Sequence, residues 1–499
     1  MLFFLFALGA QGATYDVYPQ DDLFGVIDTV VAGDEVIVHE GTYSSQQGGG
    51  SWFRHLTLLG TAQDPIVIRA AEGDLVVIEG DPAGSQNIIN IEGSHYTWKG
   101  FEMVYGSHGV RIHASDHAIF EDLHIHDTGD VGLSANIGGH LYEALEIRGT
   151  HIHDTAGTGE CMYLGCNDDA CQMFDSVIAQ NWCHDTLNAS QGDGIEIKTG
   201  SYGNVVRDNV IHDVKYPGIT MYGTRGRADN IVEGNIIWNA GDNGIQLVSE
   251  AIVQNNIVLD SGNNGIQAKN SQGQDPSGLV IAHNTVVGAA SACLKGNDWD
   301  GATGIVVANN AFFCEGGTAI NVVGDDGDTV WAANAVVGSS TAQGTTPGSL
   351  SDLVDLAGRD VYPADGASLI DAGDAAWSPQ EDFFCAPRTN SPDQGAYEWD
   401  GTGNPGWIPE PDFKPDCASG GTTTDTDTDT DTDTDTDIDT DDPTGTSTPT
   451  DPGSDGGDLD DGGSGSCGCA TDSSGGGSVV MLALLGLALR RSSRAGSRG

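Results

Sequence analysis

The chain is short of positive charge. Its 499 residues hold 19 Lys and Arg against 73 Asp and Glu, a formal net charge of −54. That balance sets nucleic acid aside as a partner, because phosphate would be repelled over most of the surface. Helical periodicity is missing between Tyr15 and Gly338, which excludes a helical bundle. No uninterrupted apolar run is long enough to span a bilayer comfortably; the C-terminal candidate, residues 479–489, has eleven residues where about twenty are needed. Glycine, in contrast, is abundant at 72 residues. Many short strands joined by tight turns have this profile.

The strands declare themselves through an internal repeat. LHIHD begins at Leu123, THIHD at Thr150, NWCHD at Asn181, NVIHD at Asn209, NIIWN at Asn235 and NIVLD at Asn256. Weaker copies start at Asn284, Asn310 and Asn334, and successive starts lie 21 to 31 residues apart. A second element recurs within each repeat: GLSAN at Gly132, GIEIK at Gly194, GITMY at Gly218, GIQLV at Gly244 and GIQAK at Gly265. No single repeat of this size can bury its apolar side, so each must stack on its neighbours at about 4.8 Å. The expected fold is all-β: a right-handed parallel β-helix in which Ile and Val form inward columns. Asn181, Asn209, Asn235, Asn256, Asn284, Asn310 and Asn334 should stack into a ladder along one turn. The leucine spacing of a leucine-rich repeat is absent, and propeller blades would be longer.

The ends read differently from the middle. Residues 1–13, MLFFLFALGAQGA, read as a signal peptide, although a basic start is missing. Ten cysteines in an exported chain are expected to pair, with connectivity left open by spacing alone. Residues 14–400 form the β-helix domain in this reading. Residues 401–466 form a Thr/Asp-rich linker that cannot bury a core and repels itself into an extended stalk. Residues 467–499 carry Cys467-Gly-Cys469, the apolar run and an arginine-rich end.

Chemistry is expected on one outward patch. Alternation after Gly194 turns Ile195 and Ile197 inward, leaving Glu196 and Lys198 facing solvent about 7 Å apart. Aligned repeats give an outward column of Tyr163, Glu196, Thr220, Gln246 and Gln267, and a second of Gly165, Lys198, Tyr222, Val248 and Lys269. A turn column before them carries Asp130, Glu160, Asp193, Asn243 and Asn264. Lys198, Arg207, Lys215, Arg225 and Arg227 fall within thirty residues of a chain poor in cations. They suit a site for an acidic sugar such as a uronate, or they neutralise an acidic wall. His126, His153, His184 and His212 form a further column, spaced for stacking rather than for a tetrahedral metal shell. Trp182 and Trp238 are expected to pack at rung edges.

Several segments resemble known families. AGDEVIVHEGTY from Ala32 and GTAQDPIVIRAAEGDLVVIEG from Gly60 resemble the opening rungs of secreted right-handed β-helix proteins. DAGD from Asp371 and PRTNSPDQGAYE from Pro387 resemble their closing strand. QGDGIEIKTGSYGNVVRDNVIHD from Gln191 resembles strands of β-helical polysaccharide lyases. In pectate-lyase family nine a similar segment supplies a calcium aspartate, matched here by Asp193, but YPGIT from Tyr216 departs from that family's next rung. Glu196 and Lys198 are similar to the glutamate and basic lysine of the chondroitinase-B and alginate-lyase family, at a shorter spacing. The C-terminal end resembles a Myxo-CTERM sorting tail, which implies a secreted body attached to the membrane or cell surface.

The resulting expectation is calcium-assisted β-elimination of a uronate-containing polysaccharide by a monomeric body. Asp193, Glu196 and Glu160 would be Ca²⁺ ligands, Lys198 the base, and Tyr222 or Tyr163 the donor to the leaving oxygen. Arg207, Lys215, Arg225 and Arg227 would bind substrate. A lysine base must be neutral part of the time, and the adjacent carboxylates oppose this unless a cation engages them. Hydrolysis by the same carboxylates, or a non-catalytic adhesin that binds glycan, would use the same wall.

Overall fold

The computed structural model describes residues 12–46, 51–324, 326–404 and 414. The readings made for the signal peptide, the stalk and the C-terminal tail lie almost wholly outside these residues.

The chain winds as a right-handed parallel β-helix with three strands per rung. The first sheet includes Met162–Leu164, Ile195–Ile197, Ile219–Met221, Ile245–Leu247 and Asn264–Ala268, paired in parallel and in register. The second includes Val177–Ala179, Val205–Arg207, Asn230–Glu233 and Ala251–Gln254. The third runs through His124–His126, His151–His153, Trp182–His184, Val210–His212, Ile236–Trp238 and Ile257–Leu259. Strands this short cannot be stable alone, and the inward Ile, Val, Leu and Met of successive rungs make one continuous core. The helix Leu23–Ile27 closes the N-terminal end by burying Leu23, Phe24 and Ile27.

The corner between second and third sheets is the most regular part. Two residues make it in rung after rung: Gln180 and Asn181, Asp208 and Asn209, Gly234 and Asn235, Asn255 and Asn256. The first of each pair has positive φ, which Gly, Asn and Asp tolerate best. The second is the ladder asparagine. Its side-chain amide donates to the next rung's asparagine, as from Asn181 to Asn209 at 2.9 Å and from Asn209 to Asn235 at 2.8 Å. The ladder continues unbroken to Asn334. Asp127, Asp154, Asp185 and Asp213 also take positive φ, which accounts for the aspartate ending each HIHD-type motif.

Among the described residues, disulfides join Cys161 to Cys183, Cys166 to Cys171 and Cys293 to Cys314, and Cys385 is also disulfide-bonded. The first crosses the interior and fixes the rung that carries Glu160. In chain-entropy terms, closing a loop of that length contributes about 3 kcal/mol.

The C-terminal segment departs from expectation. Residues 387–398 form no closing strand; they lie in irregular structure against the outer side of the third sheet. Leu353, Val361, Tyr362, Leu369, Phe383 and Tyr397 cover Ile236, Trp238, Ile257, Leu259 and Phe313 there. Arg388, almost fully buried, staples the segment by donating to Asn255 Oδ1 at 2.8 Å and the carbonyls of Gly395 and Ala396 at 3.1 and 2.9 Å. The apolar outer face of the later rungs, rather than a stacking edge, sets where this segment goes.

Candidate functional site

The outward side of the first sheet carries the site. Register aligns Tyr163, Glu196, Thr220, Gln246 and Gln267 in one column. Backbone bonds place Gly165, Lys198, Tyr222, Val248 and Lys269 at equivalent positions two residues on. In the turn column, Val131 rather than Asp130 stands beside Glu160, and the series continues through Asp193, Pro217 and Asn243.

Glu196 and Lys198 are not solvent-facing as expected. Each is 4% exposed, Asp193 is 5% exposed and Glu160 is fully buried. The physical reason lies in the neighbouring rungs. The Lys198 ammonium sits over the rings of Tyr163 and Tyr222, 4.4 and 5.0 Å from their centroids, and pairs with Glu196 Oε1. Two aromatic side chains from adjacent rungs thus close over what alternation alone would leave exposed. Gly165 makes room for this: a Cβ there would come within 3.1 Å of Lys198 Cβ and 2.6 Å of Ser201 Oγ.

One carboxylate oxygen from each of Glu160, Asp193 and Glu196 lies within 4.8 Å of the others. Thr220 Oγ1 donates to Asp193 Oδ1 at 2.9 Å. Neither oxygen of Glu160, nor Oε2 of Glu196, has a hydrogen bond of normal geometry. Burial, reinforced by the Glu196 charge, pushes Glu160 up to about 7. Burial and the same neighbours raise Asp193 well above the ordinary carboxylate range. Burial also works against the ammonium of Lys198, but the charges of Glu196, Tyr222 and Asp193 outweigh it and leave its pKa raised. Were all three carboxylates ionised, as a bound cation would hold them, they would exceed the charge of the one lysine by two in a desolvated site. Hard oxygen donors with spare lone pairs in that number fit a divalent cation such as Ca²⁺.

The predicted basic cluster divides. Arg207 ends a second-sheet strand and pairs with Asp208 at 2.7 Å, so it belongs to another side of the coil and is withdrawn from the substrate-binding set. Lys215 lies in the turn leading to the first sheet, its Nζ donating to the Ala189 carbonyl. Arg225 and Arg227 occupy the loop after Tyr222. Arg227 donates to Gly200 O at 2.7 Å and pairs with Asp169 at 3.3 Å; Arg225 Nε is 3.9 Å from Asp169. Gln272 joins this lip from a later rung, donating to Asn167 Oδ1 at 2.7 Å.

His108, Arg111 and Ser134 escaped sequence reasoning. Arg111 and Ser134 precede Tyr163 in the same column. Arg111 Nη1 lies 3.4 Å from His108 Nε2, and His108 Nδ1 meets Ser134 Oγ at 3.1 Å. GVRIH from Gly109 has the form of GIEIK, which was the available signal. In the next rungs the first column carries neutral amides, with Asn243 Nδ2 donating to Gln267 Oε1 at 3.1 Å, before Lys295 follows Gln267.

Residues 142–336 match the family described as right handed beta helix region. Nothing among curated proteins matches the sequence. Among solved structures, XylC in complex with xylose is similar at 12% identity over 78% of this chain and 99% of that one, with a TM-score of 0.53. That likeness shows the fold. The alginate lyase from Paenibacillus sp. str. FPU-7 is 21% identical over 54% of this chain and 94% of its own, with a TM-score of 0.46. The pectate lyase Pel9A is 17% identical over 78% and 97%, with a TM-score of 0.43.

Proposed function

We propose that this protein acts on a uronate-containing polysaccharide by β-elimination, with Ca²⁺ held by Glu160, Asp193 and Glu196. The observation that carries the reading is the buried carboxylate triad beside a lysine clasped by two tyrosines. Bound calcium would offset the field of the carboxylates and acidify the proton α to the uronate carboxyl. Lys198 Nζ takes that proton, the C4–O4 bond breaks as the C4=C5 double bond forms, and Tyr222 or Tyr163 protonates the departing oxygen. Arg111, Arg225, Arg227 and Lys215 border the wall with positive charge suited to neighbouring uronates.

With Lys198 held as a paired ammonium, binding without cleavage is the second reading, an adhesin's use of the same wall. Incubation of the protein with a uronate polysaccharide panel, with calcium or EDTA, separates the two. Elimination gives ultraviolet-absorbing unsaturated ends that Lys198→Ala and EDTA abolish. Full activity in either case overturns the mechanism. New reducing ends without absorbance indicate hydrolysis, and binding alone supports the adhesin. We also propose that the body is exported and held at a cell surface; its disulfides support an oxidising compartment.

A further inference from the structure

The third sheet bears a second cluster of chemistry, remote in the rung from the carboxylate wall. The expected stack of His126, His153, His184 and His212 is present, with ring centroids 5.1, 5.0 and 4.8 Å apart. Beside it runs a parallel stack of His124, His151 and Trp182, at 4.7 and 4.1 Å. Both stacks face outward, because only the middle residue of each HIH strand is fully buried.

Two columns of imidazole make contacts that one cannot. His124 Nε2 is 2.9 Å from His153 Nε2, and His151 Nε2 is 2.7 Å from His184 Nε2. Ring nitrogens of His124, His151 and His153 all lie within 4.8 Å of one another. Donors on a tetrahedral ion with bonds of 2.0–2.1 Å are about 3.3 Å apart, so small ring rotations suffice. The aspartate after each stacked histidine sets the tautomer. Asp154 and Asp185 each accept a hydrogen bond from Nδ1–H of the preceding histidine at 2.8 Å. The Nε2 atoms of His153 and His184 therefore present lone pairs, with a carboxylate behind each ring, as metal-binding histidines commonly have. Glu102 adds charge at the near end, 3.4 Å from His126 Nε2. Trp182 closes the far end: its indole N–H donates to His212 Nε2 at 2.9 Å, which removes His212 from the donor set.

We propose that His124, His151 and His153, with His184 at the margin, bind one divalent transition-metal ion of the zinc, copper or nickel class, clamping successive rungs. Imidazole donors select such ions over calcium, so this site and the carboxylate wall discriminate between cations.

The test titrates zinc chloride into chelator-treated full-length protein in excess calcium, followed by calorimetry and thermal melting. One equivalent is expected to bind with a dissociation constant of about 1 µM or tighter and to raise the melting temperature. His124→Gln combined with His151→Gln should weaken binding at least about tenfold and abolish the melting shift. His113→Gln, in the separate cluster of His55, Glu92 and His113, should change neither. Should the double variant fail to fold by circular dichroism, His124→Gln alone decides by the same criterion. Cobalt in place of zinc should give visible d–d bands that the variant lacks. Absence of stoichiometric zinc binding, or binding unchanged in the folded variant, overturns the proposal.

Discussion

The outward sides of the first and third sheets are built from the same strand lengths on the same coil, yet they solve opposite problems. The third sheet's later rungs present Ile236, Trp238, Ile257 and Leu259, and the C-terminal segment covers them. Their burial contributes stability. The first sheet buries Glu160, Asp193, Glu196 and Lys198, groups whose desolvation costs stability unless a partner arrives. Polar burial retained at a cost is what the proposed function requires of the first sheet, and apolar burial makes the later rungs of the third sheet scaffold.

Lys198→Ala breaks the comparison most sharply if it fails. It should reduce eliminative turnover by about 10²–10⁴-fold in the folded fraction with calcium present; in EDTA it should also lower the melting temperature, since it leaves the buried Glu196 without its paired ammonium. Arg388→Met should act on stability and not on turnover. Removing the buried guanidinium leaves Glu398, paired with it at 3.3 Å, without its counter-charge and should cost about 3–5 kcal/mol in denaturant unfolding, with wall chemistry retained in the folded fraction.

A smaller effect concerns pH. Glu160 is raised from 4.5 to about 7, so the folded state holds a proton that the unfolded chain has released between these values. Without divalent cations, the contribution of Glu160 to stability should therefore be fully present below about pH 4.5 and be lost as pH rises through about 7. Calcium should flatten that decline, and melting curves across the range with and without EDTA check it. The smallest effect is that of Arg207→Ala, which should leave turnover and KM within about twofold, since the residue lies on the second sheet.

Much of this architecture was legible because the corner residues are chemically constrained. A left-handed residue followed by a ladder asparagine leaves little choice of amino acid, so the rung boundaries stand out in sequence. Register then followed, and with it the company of Tyr163, Glu196, Lys198 and Tyr222. Burial of Lys198 was not legible, because it depends on tyrosine rings closing from rungs on either side. Arg207 was misassigned since sequence proximity to Lys198 says nothing about which sheet of the rung a residue occupies. The path of residues 387–398 is set by an apolar surface far away in sequence, and no periodicity announces it.

The constancy of the two-residue corner has a counterpart. Between the first and second sheets the connection is three residues at 248–250 and ten at 269–278. Lengthening a connection there adds only slowly growing closure entropy, about 0.6 kcal/mol per doubling, and leaves the ladder's count untouched. The coil therefore behaves as a ruler with one inscribed edge and one blank edge. New reach toward a ligand can be written along the blank edge, as the meeting of Asn167, Arg225 and Gln272 already illustrates, without altering the spacing of any rung.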